Sequence, residues 1–278
     1  MLGIRWATEV GIGLRACVEA GRVELEAMVA QIYDEIGLRY REHRLPDPRI
    51  ESAIARALGH AESVVNVGAG AGSYEPVDRK VVAVEPSTEM IRQRLPGHAP
   101  VIQASAAALP FRNSSFDASL AILTVHHWPN HADSLAEFAR VSRGLQVIVT
   151  WDPAFSGFWL VEDYFPEIEA IDRRVFPSLD RIRQVLGDIV VWPLPIPHDC
   201  SDGFLGAYWR RPHAYLNPDV RRSISTFSRI NETAPGLERL RRDLDDGTWE
   251  LRNGHLRGHL ELDLGYRIVT SRSGSVTI

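Results

Sequence analysis

The chain has 278 residues, enough for one large α/β domain with an elaboration or for two modest domains, and the first is the expectation. With 45% hydrophobic residues, 24% charged residues and a net charge of -5, it reads as an ordinary globule without the global positive field that draws proteins to nucleic acid. Two cysteines, Cys17 and Cys200, are too few for a disulfide framework or a thiolate metal site, which fits a reducing cytoplasm, and no apolar stretch approaches the roughly 20 residues that span a bilayer.

Residues 1–30 are interrupted by Arg5, Glu9, Arg15, Glu19, Arg22, Glu24 and Glu26, so they read as neither a signal peptide nor an anchor. Leu25, Met28, Val29, Ile32 and Ile36 then recur at helical spacing, with Gly37 as a stop. A second helix begins with Asp47 as N-cap and Pro48 at its first position, carries Ile50, Ile54, Ala57 and Leu58 on one face, and stops at Gly59. Five short apolar runs follow: Ser63 to Val67, Lys80 to Glu85, Pro100 to Ala104, Ala118 to Thr124, and Leu145 to Trp151. They are near-continuous in apolar content, as strands covered on both faces are. The intervals accommodate helices opening at Gly72 and Ser87, and a crossover helix over Asn130 to Arg143 with Gly144 as its stop. Strand and helix alternating in this way predict a parallel, doubly wound sheet.

Beyond Trp151 the pattern changes. A short helix is expected over Asp180 to Leu186, and a sixth strand over Asp188 to Trp192 ahead of the proline-rich turn Pro193 to Pro197. Residues 201–260 read as a helical insertion: Asn217 caps, Pro218 starts, Val220, Ile224 and Phe227 share a face, and Leu237, Leu240 and Leu244 line another helix. Arginines 210, 211, 221, 222, 239, 241 and 242 read as solvated helix faces. The segment Leu264 to Ser271 is a last strand returning to the sheet. The expected organisation is a helical flank over 1–46, a core over 47–200, a helical lid over 201–260, and a final strand within 261–278.

The run Val64 to Gly72 is the strongest local signal: a buried strand enters a turn with glycines at 68, 70 and 72, and the neighbouring strand closes on Glu85. Glycines let backbone approach a ligand that a Cβ would push away, and a carboxylate at a strand tip can accept from both hydroxyls of a ribose. The GxGxG spacing lacks the third-glycine position of the dinucleotide fingerprint GxGxxG, which disfavours a nicotinamide cofactor.

Beyond that turn, the pieces Val84-Glu85-Pro86-Ser87, Ala107-Ala108-Leu109-Pro110-Phe111, Ser115-Phe116-Asp117 and Leu123-Thr124-Val125-His126-His127-Trp128 fall in an order and spacing that resembles the class I S-adenosylmethionine-dependent methyltransferases, within them the type 11 group. The resemblance covers about residues 60–152. It implies a Rossmann-like seven-stranded sheet, mostly parallel with its last strand antiparallel, and S-adenosyl-L-methionine as cofactor across the carboxyl ends of the first strands. In such a site Gly68, Ala69, Gly70 and Gly72 pass beneath the methionyl and ribose portions, and Glu85 binds the ribose. Pro86 and Met90 flank the adenine, Ala106 offers its backbone N–H to the ring, and Thr124 lies near the sulfonium. Asn66 stands where an aspartate is usual, and Ser105 stands where an aspartate often meets the adenine amino group.

Methyl transfer is an in-line displacement, so the protein's tasks are alignment, exclusion of water and removal of a proton where the nucleophile carries one. His126 and His127 are the base candidates; in an extended segment at most one of them would face the substrate, and the plainer alternative is that they close the turn against Trp128. Candidates for acceptor contact are Tyr33, Tyr40 and Arg44 on the N-terminal flank, Trp151 after the fifth strand, and Tyr208 and Trp209 in the insertion, each with the alternative of plain packing or surface charge. No HExxH, paired cysteines or compact histidine–carboxylate cluster points to a metal. The expectation is a methyltransferase acting on a small molecule, without nucleic-acid or membrane partners, as a monomer or homodimer. The competing readings are a cyclase-like enzyme on the same cofactor, a non-catalytic binding module, and a nicotinamide-dependent reductase.

Overall fold

The computed structural model describes residues 44–272, so the expected helix around Leu25 to Ile36, with Tyr33 and Tyr40, lies outside the described part. Helix α1, Pro48–Leu58, starts and stops as its residues dictate. The Asp47 side chain accepts from the Arg49 N–H at 3.0 Å, Pro48 occupies the first turn, and Gly59 leaves the helix at φ +53°. Its buried face, Ile50, Ile54 and Leu58, packs toward the sheet, each side chain worth about 2 kcal/mol of apolar burial.

The sheet is built from β1 (Ser63–Val67), β2 (Lys80–Val84), β3 (Val101–Ile102), β4 (Phe116–Ile122), β5 (Ser142–Trp151), β6 (Ile189–Pro193) and β9 (Tyr266–Arg272). Its order is β3-β2-β1-β4-β5-β9-β6. Pairings from β3 through β5 are parallel, and β9 runs antiparallel to both β5 and β6. The expected seven strands and the reversed last strand are therefore present. Helices α2 (Thr88–Arg92), α3 (His131–Arg140), α4 (Glu167–Val175) and α5 (Leu179–Leu186) cross between strands, and α6 (Pro218–Arg222), α7 (Ala234–Asp245) and α8 (Thr248–Asn253) come later. A two-residue pair, β7 (Ile196–Pro197) with β8 (Glu261–Leu262), closes the base of that later segment.

Three local expectations are corrected. No helix opens at Gly72: residues 68–79 form successive turns between β1 and β2. Pro76 disfavours a helical Glu75, and the remaining stretch to β2 is too short to repay helix nucleation. The side chains of this segment instead hold the turn from behind, as described below. Second, α3 ends at Arg140 and Gly144 lies inside β5, where the β4–β5 register shifts between Phe116 and Ala118. A glycine at an irregularity in a strand is a bulge signal as readily as a helix stop. Third, only Val220 sits on α6; Ile224 and Phe227 follow it in tight turns, although all three are buried.

The helical layer over the sheet draws on residues 158–176 as well as 201–260. Trp159 is its centre, with ring centroids 5.9 Å from Tyr164, 5.8 Å from Tyr215 and 5.3 Å from Trp249, all near edge-to-face. Several arginines expected on solvated faces brace this layer through backbone carbonyls: Arg211 donates to Cys200 and Ala207, Arg221 to Tyr215, and Arg239 to Tyr164.

Candidate active site

A cavity of about 420 Å³ opens at the carboxyl ends of β1, β2 and β4, beneath the helical layer. Its floor is the glycine turn. Gly68 and Ala69 donate their N–H groups to the Val84 carbonyl at 2.8 and 3.0 Å, which folds the turn over the tip of β2. Gly68 (φ +74°) and Gly70 (φ +54°) both need the left-handed region. A Cβ on Gly68 would lie 2.1 Å from Thr124 Oγ1, so the backbone and the end of β4 approach more closely than any other residue permits. Gly72 is absent from the cavity lining; a Cβ there would meet the His98 ring at 2.3 Å, so its glycine serves packing.

Glu85 is 6% exposed, and each of its carboxylate oxygens takes one backbone N–H: Oε2 from Gly70 at 2.8 Å and Oε1 from Ser87 at 2.9 Å. One further lone pair on each oxygen is available to the cavity. Burial raises the Glu85 carboxyl above the ordinary range, opposed by those two N–H bonds and by Arg94. Ser87 caps α2 through the Met90 N–H, which fixes Met90 in the lining beside Pro86. Ser105 and Ala106 line the same end, with Ser105 Oγ accepting from the Ala107 N–H at 3.2 Å.

Behind the floor is an ion pair the sequence did not announce. Arg94 Nη2 donates to both oxygens of Glu75 at 2.6 and 2.7 Å and to the Ala99 carbonyl at 3.0 Å, while Nη1 reaches the Gly70 carbonyl at 3.2 Å. Both side chains are at most 6% exposed, so the pair anchors the glycine turn from a dry interior. Asn66 Nδ2 lies 3.5 Å from Glu75, and Asn66 Oδ1 is buried without a hydrogen-bond partner while Asn66 lines the cavity.

The opposite end begins where β4 gives way to Leu123, a non-glycine residue at φ +49°. Residues Val125–His127 form a 3₁₀ turn, and both histidines line the cavity. This corrects the extended-chain argument that only one could face it: at three residues per turn, neighbours diverge by about 120°. The two rings are 3.8 Å apart, and His126 stacks on Phe176 at 4.2 Å and 25°. Burial drives both away from protonation. His126 is held well below the ordinary histidine range, and His127 is pushed down to about 3, aided by the Arg229 charge. Arg229 Nη2 lies 3.2 Å from His127 Nδ1. A guanidinium only donates, so that nitrogen accepts and the neutral ring carries its proton on Nε2, an assignment from the hydrogen bond. His126 Nδ1 is buried with no partner.

Arg44, Arg174, Val175 and Arg229 complete the rim. Arg44 is engaged by Asp202 at 2.5 Å, and Asp202 also accepts from the Tyr74 hydroxyl at 3.0 Å. Three residues expected at the acceptor lie outside the cavity lining. Trp151 donates from Nε1 to the Leu264 carbonyl at 2.9 Å; Trp209 is fully buried with Nε1 on the Ile196 carbonyl at 2.9 Å; and Tyr208 packs between Tyr215 and the Arg211 guanidinium. Aromatic clusters in a thin helical layer are needed for its own core, and that need takes Tyr208 and Trp209, while Trp151 at the end of β5 is held by the Leu264 carbonyl. Arg174, Arg229 and Phe176 were missed because they sit on turns and helix ends with no motif around them. Among the described residues no group of three histidine, cysteine or carboxylate side chains is placed to hold a metal ion, and no helix is long and apolar enough to cross a membrane.

A sheet of this order, with a glycine turn and a strand-tip carboxylate facing one cavity, defines a Rossmann-like nucleoside-binding enzyme fold. A family model for the methyltransferase domain matches residues 65–148. The crystal structure of a protein assigned as a methyltransferase of an antibiotic biosynthesis pathway in Anabaena variabilis is 33% identical, with a TM-score of 0.75, over 82% of this chain and 98% of that one. A methyltransferase structure from Thermotoga maritima, 15% identical, shares the fold at a TM-score of 0.53 over 87% of this chain and 98% of that one. No curated protein matches the chain in sequence. The chain belongs to the class I S-adenosylmethionine-dependent methyltransferases, and S-adenosylmethionine is its cofactor.

Proposed function

We propose that this methyltransferase acts on a small-molecule acceptor, with the cofactor at the glycine-turn end of the cavity and the acceptor at the histidine end. The residues fit such a cofactor on two observations. The floor is a cradle that a Cβ at Gly68 would fill, and Glu85 presents two carboxylate oxygens whose remaining lone pairs suit vicinal hydroxyls. In this reading Glu85 holds the ribose, Gly68 to Gly70 lie under the methionyl portion, and Pro86, Met90, Ser105 and Ala106 border the adenine. Asn66 Oδ1, buried and unpaired, accepts from the cofactor's ammonium. S-adenosylmethionine supplies an electrophilic methyl group on its sulfonium.

The protein's part in the transfer is positional. Thr124 and Leu123 bring the end of β4 against the cradle, and the helical layer roofs the histidine end, excluding water. His126 is the residue for an acceptor's O–H or N–H. Its ring is neutral and Nδ1 has no other partner, whereas His127 Nδ1 is occupied by Arg229. A turn of the ring that brings the buried Nδ1 to the cavity would let His126 accept a hydrogen bond from the acceptor and take its proton, and burial keeps the ring unprotonated beforehand.

The observation that carries the reading is one cavity with a nucleoside cradle at one end and two neutral histidine rings lining the other. Incubating the protein with S-adenosylmethionine and a panel of small acceptors tests it. Acceptor-dependent formation of S-adenosylhomocysteine is expected. Methylthioadenosine as the product would instead indicate a cyclase-like reaction, and transfer only to protein or nucleic acid would overturn the small-molecule assignment.

A further inference from the structure

We propose that the acceptor carries an oxyanion, a carboxylate or a phosphate, held by Arg229 and Arg174 at the histidine end of the cavity. This rests on the methyltransferase reading of the same cavity and adds the chemical class of what enters it. Among the described residues three arginines and one acid line the cavity, and the acid, Glu85, lies at the cradle end. Arg44 is already neutralised by Asp202. Arg229 makes no ion pair among the described residues; its side chain is hydrogen-bonded there only to a neutral histidine, which leaves most of its five N–H donors for another group. The Arg174 side chain, at the end of α4, makes no hydrogen bond or ion pair among the described residues. Arg174 is exposed, as is its neighbour Arg173, but Arg173 pairs with Glu169 at 2.7 Å and does not line the cavity.

The carboxyl nearest Arg229 on α4 makes no ion pair with it. Asp172 is buried with Oδ1 unpartnered and no ion-pair contact to Arg229, and burial raises it to about 7. The unbalanced cationic character is felt by His127, whose protonation Arg229 opposes. A partly buried guanidinium at a cavity wall binds carboxylate or phosphate through paired N–H donors, a geometry that a neutral acceptor does not match.

The test uses the full chain saturated with S-adenosylhomocysteine, titrated calorimetrically with matched pairs of small acids and their carboxamides, benzoate with benzamide among them, and with phenyl phosphate. At least one acid binds, its carboxamide binds tenfold or more weakly, and the rank of phenyl phosphate against benzoate tells which oxyanion is preferred. Arg229→Met and Arg174→Met each weaken acid binding roughly tenfold, with S-adenosylhomocysteine affinity unchanged, and Arg173→Met leaves both unchanged. Equal binding of acids and carboxamides, an Arg229→Met/Arg174→Met double variant that binds acids like the parent, or no acid bound by a chain that does bind S-adenosylhomocysteine each overturn the proposal. Failure to bind S-adenosylhomocysteine at all would overturn the cofactor assignment instead.

Discussion

Asp172 gives the sharpest stability test. Its carboxyl is 4% exposed on α4, Oδ1 has no partner, and burial lifts it from 3.8 to about 7 against the opposing pull of Arg229. Between those two values the folded chain holds a proton that the unfolded chain has released, so stability falls as pH rises across that window. The penalty is absent below pH 4 and complete above about pH 7. At 1.36 kcal/mol per pKa unit it reaches roughly 4 kcal/mol. Asp172→Asn removes the titration while keeping the shape. Urea denaturation should therefore show the variant about equal to the parent at pH 4, ahead by roughly half the full difference near pH 5.5, and ahead by about 4 kcal/mol at pH 8. A variant that loses stability at pH 8, or gains equally at every pH, would refute the claim that this carboxyl is buried without compensation.

Gly68→Ala and Gly187→Ala share positive φ values, +74° and +78°, but only the first meets another side chain, Thr124. Both should lose at least about 1–2 kcal/mol from backbone strain, Gly68→Ala more because its Cβ also collides with Thr124, and only Gly68→Ala should also lose S-adenosylhomocysteine affinity; equal affinities would mean the cradle does not depend on that approach. Arg94→Met leaves Glu75 charged and buried, so urea denaturation should register a loss of about 3–5 kcal/mol, and a loss under 1 kcal/mol would remove the pair from its anchoring role. His126 and His127 are held neutral by burial. Their ring proton resonances should stay fixed between pH 6 and 8, and titration of either near 6.5 would contradict the closed geometry.

What the sequence made legible was what local chemistry decides. The strand runs, the α1 caps, the Ser87 cap and the Glu85 position follow from burial, capping and spacing, and each is found in the structure. The helix expected at Gly72 failed because the segment's partner is tertiary: Glu75 is held by Arg94 from the neighbouring crossover, which no periodicity reveals. The histidine end of the cavity was legible only in its residues. His126 and His127 were singled out but with the wrong local geometry, since three residues are too few for any periodicity to separate a 3₁₀ turn from an extended segment. Arg229 reaches His127 across 102 positions of sequence, and only the packing of the helical layer brings the two together. The aromatic residues Tyr208 and Trp209 were drawn into that layer's core for the same reason, since its few helices bury little without them.

We propose that the turn at Gly68 to Gly70 and the Glu85 carboxylate together hold S-adenosylmethionine by its ribose. Calorimetric titration of S-adenosylhomocysteine into the parent and into Glu85→Ala measures this directly. One site per chain in the parent and at least a tenfold weaker one in the variant, roughly the loss of one charged hydrogen bond, is the predicted result. No binding to the parent, or equal binding to both, would contradict it.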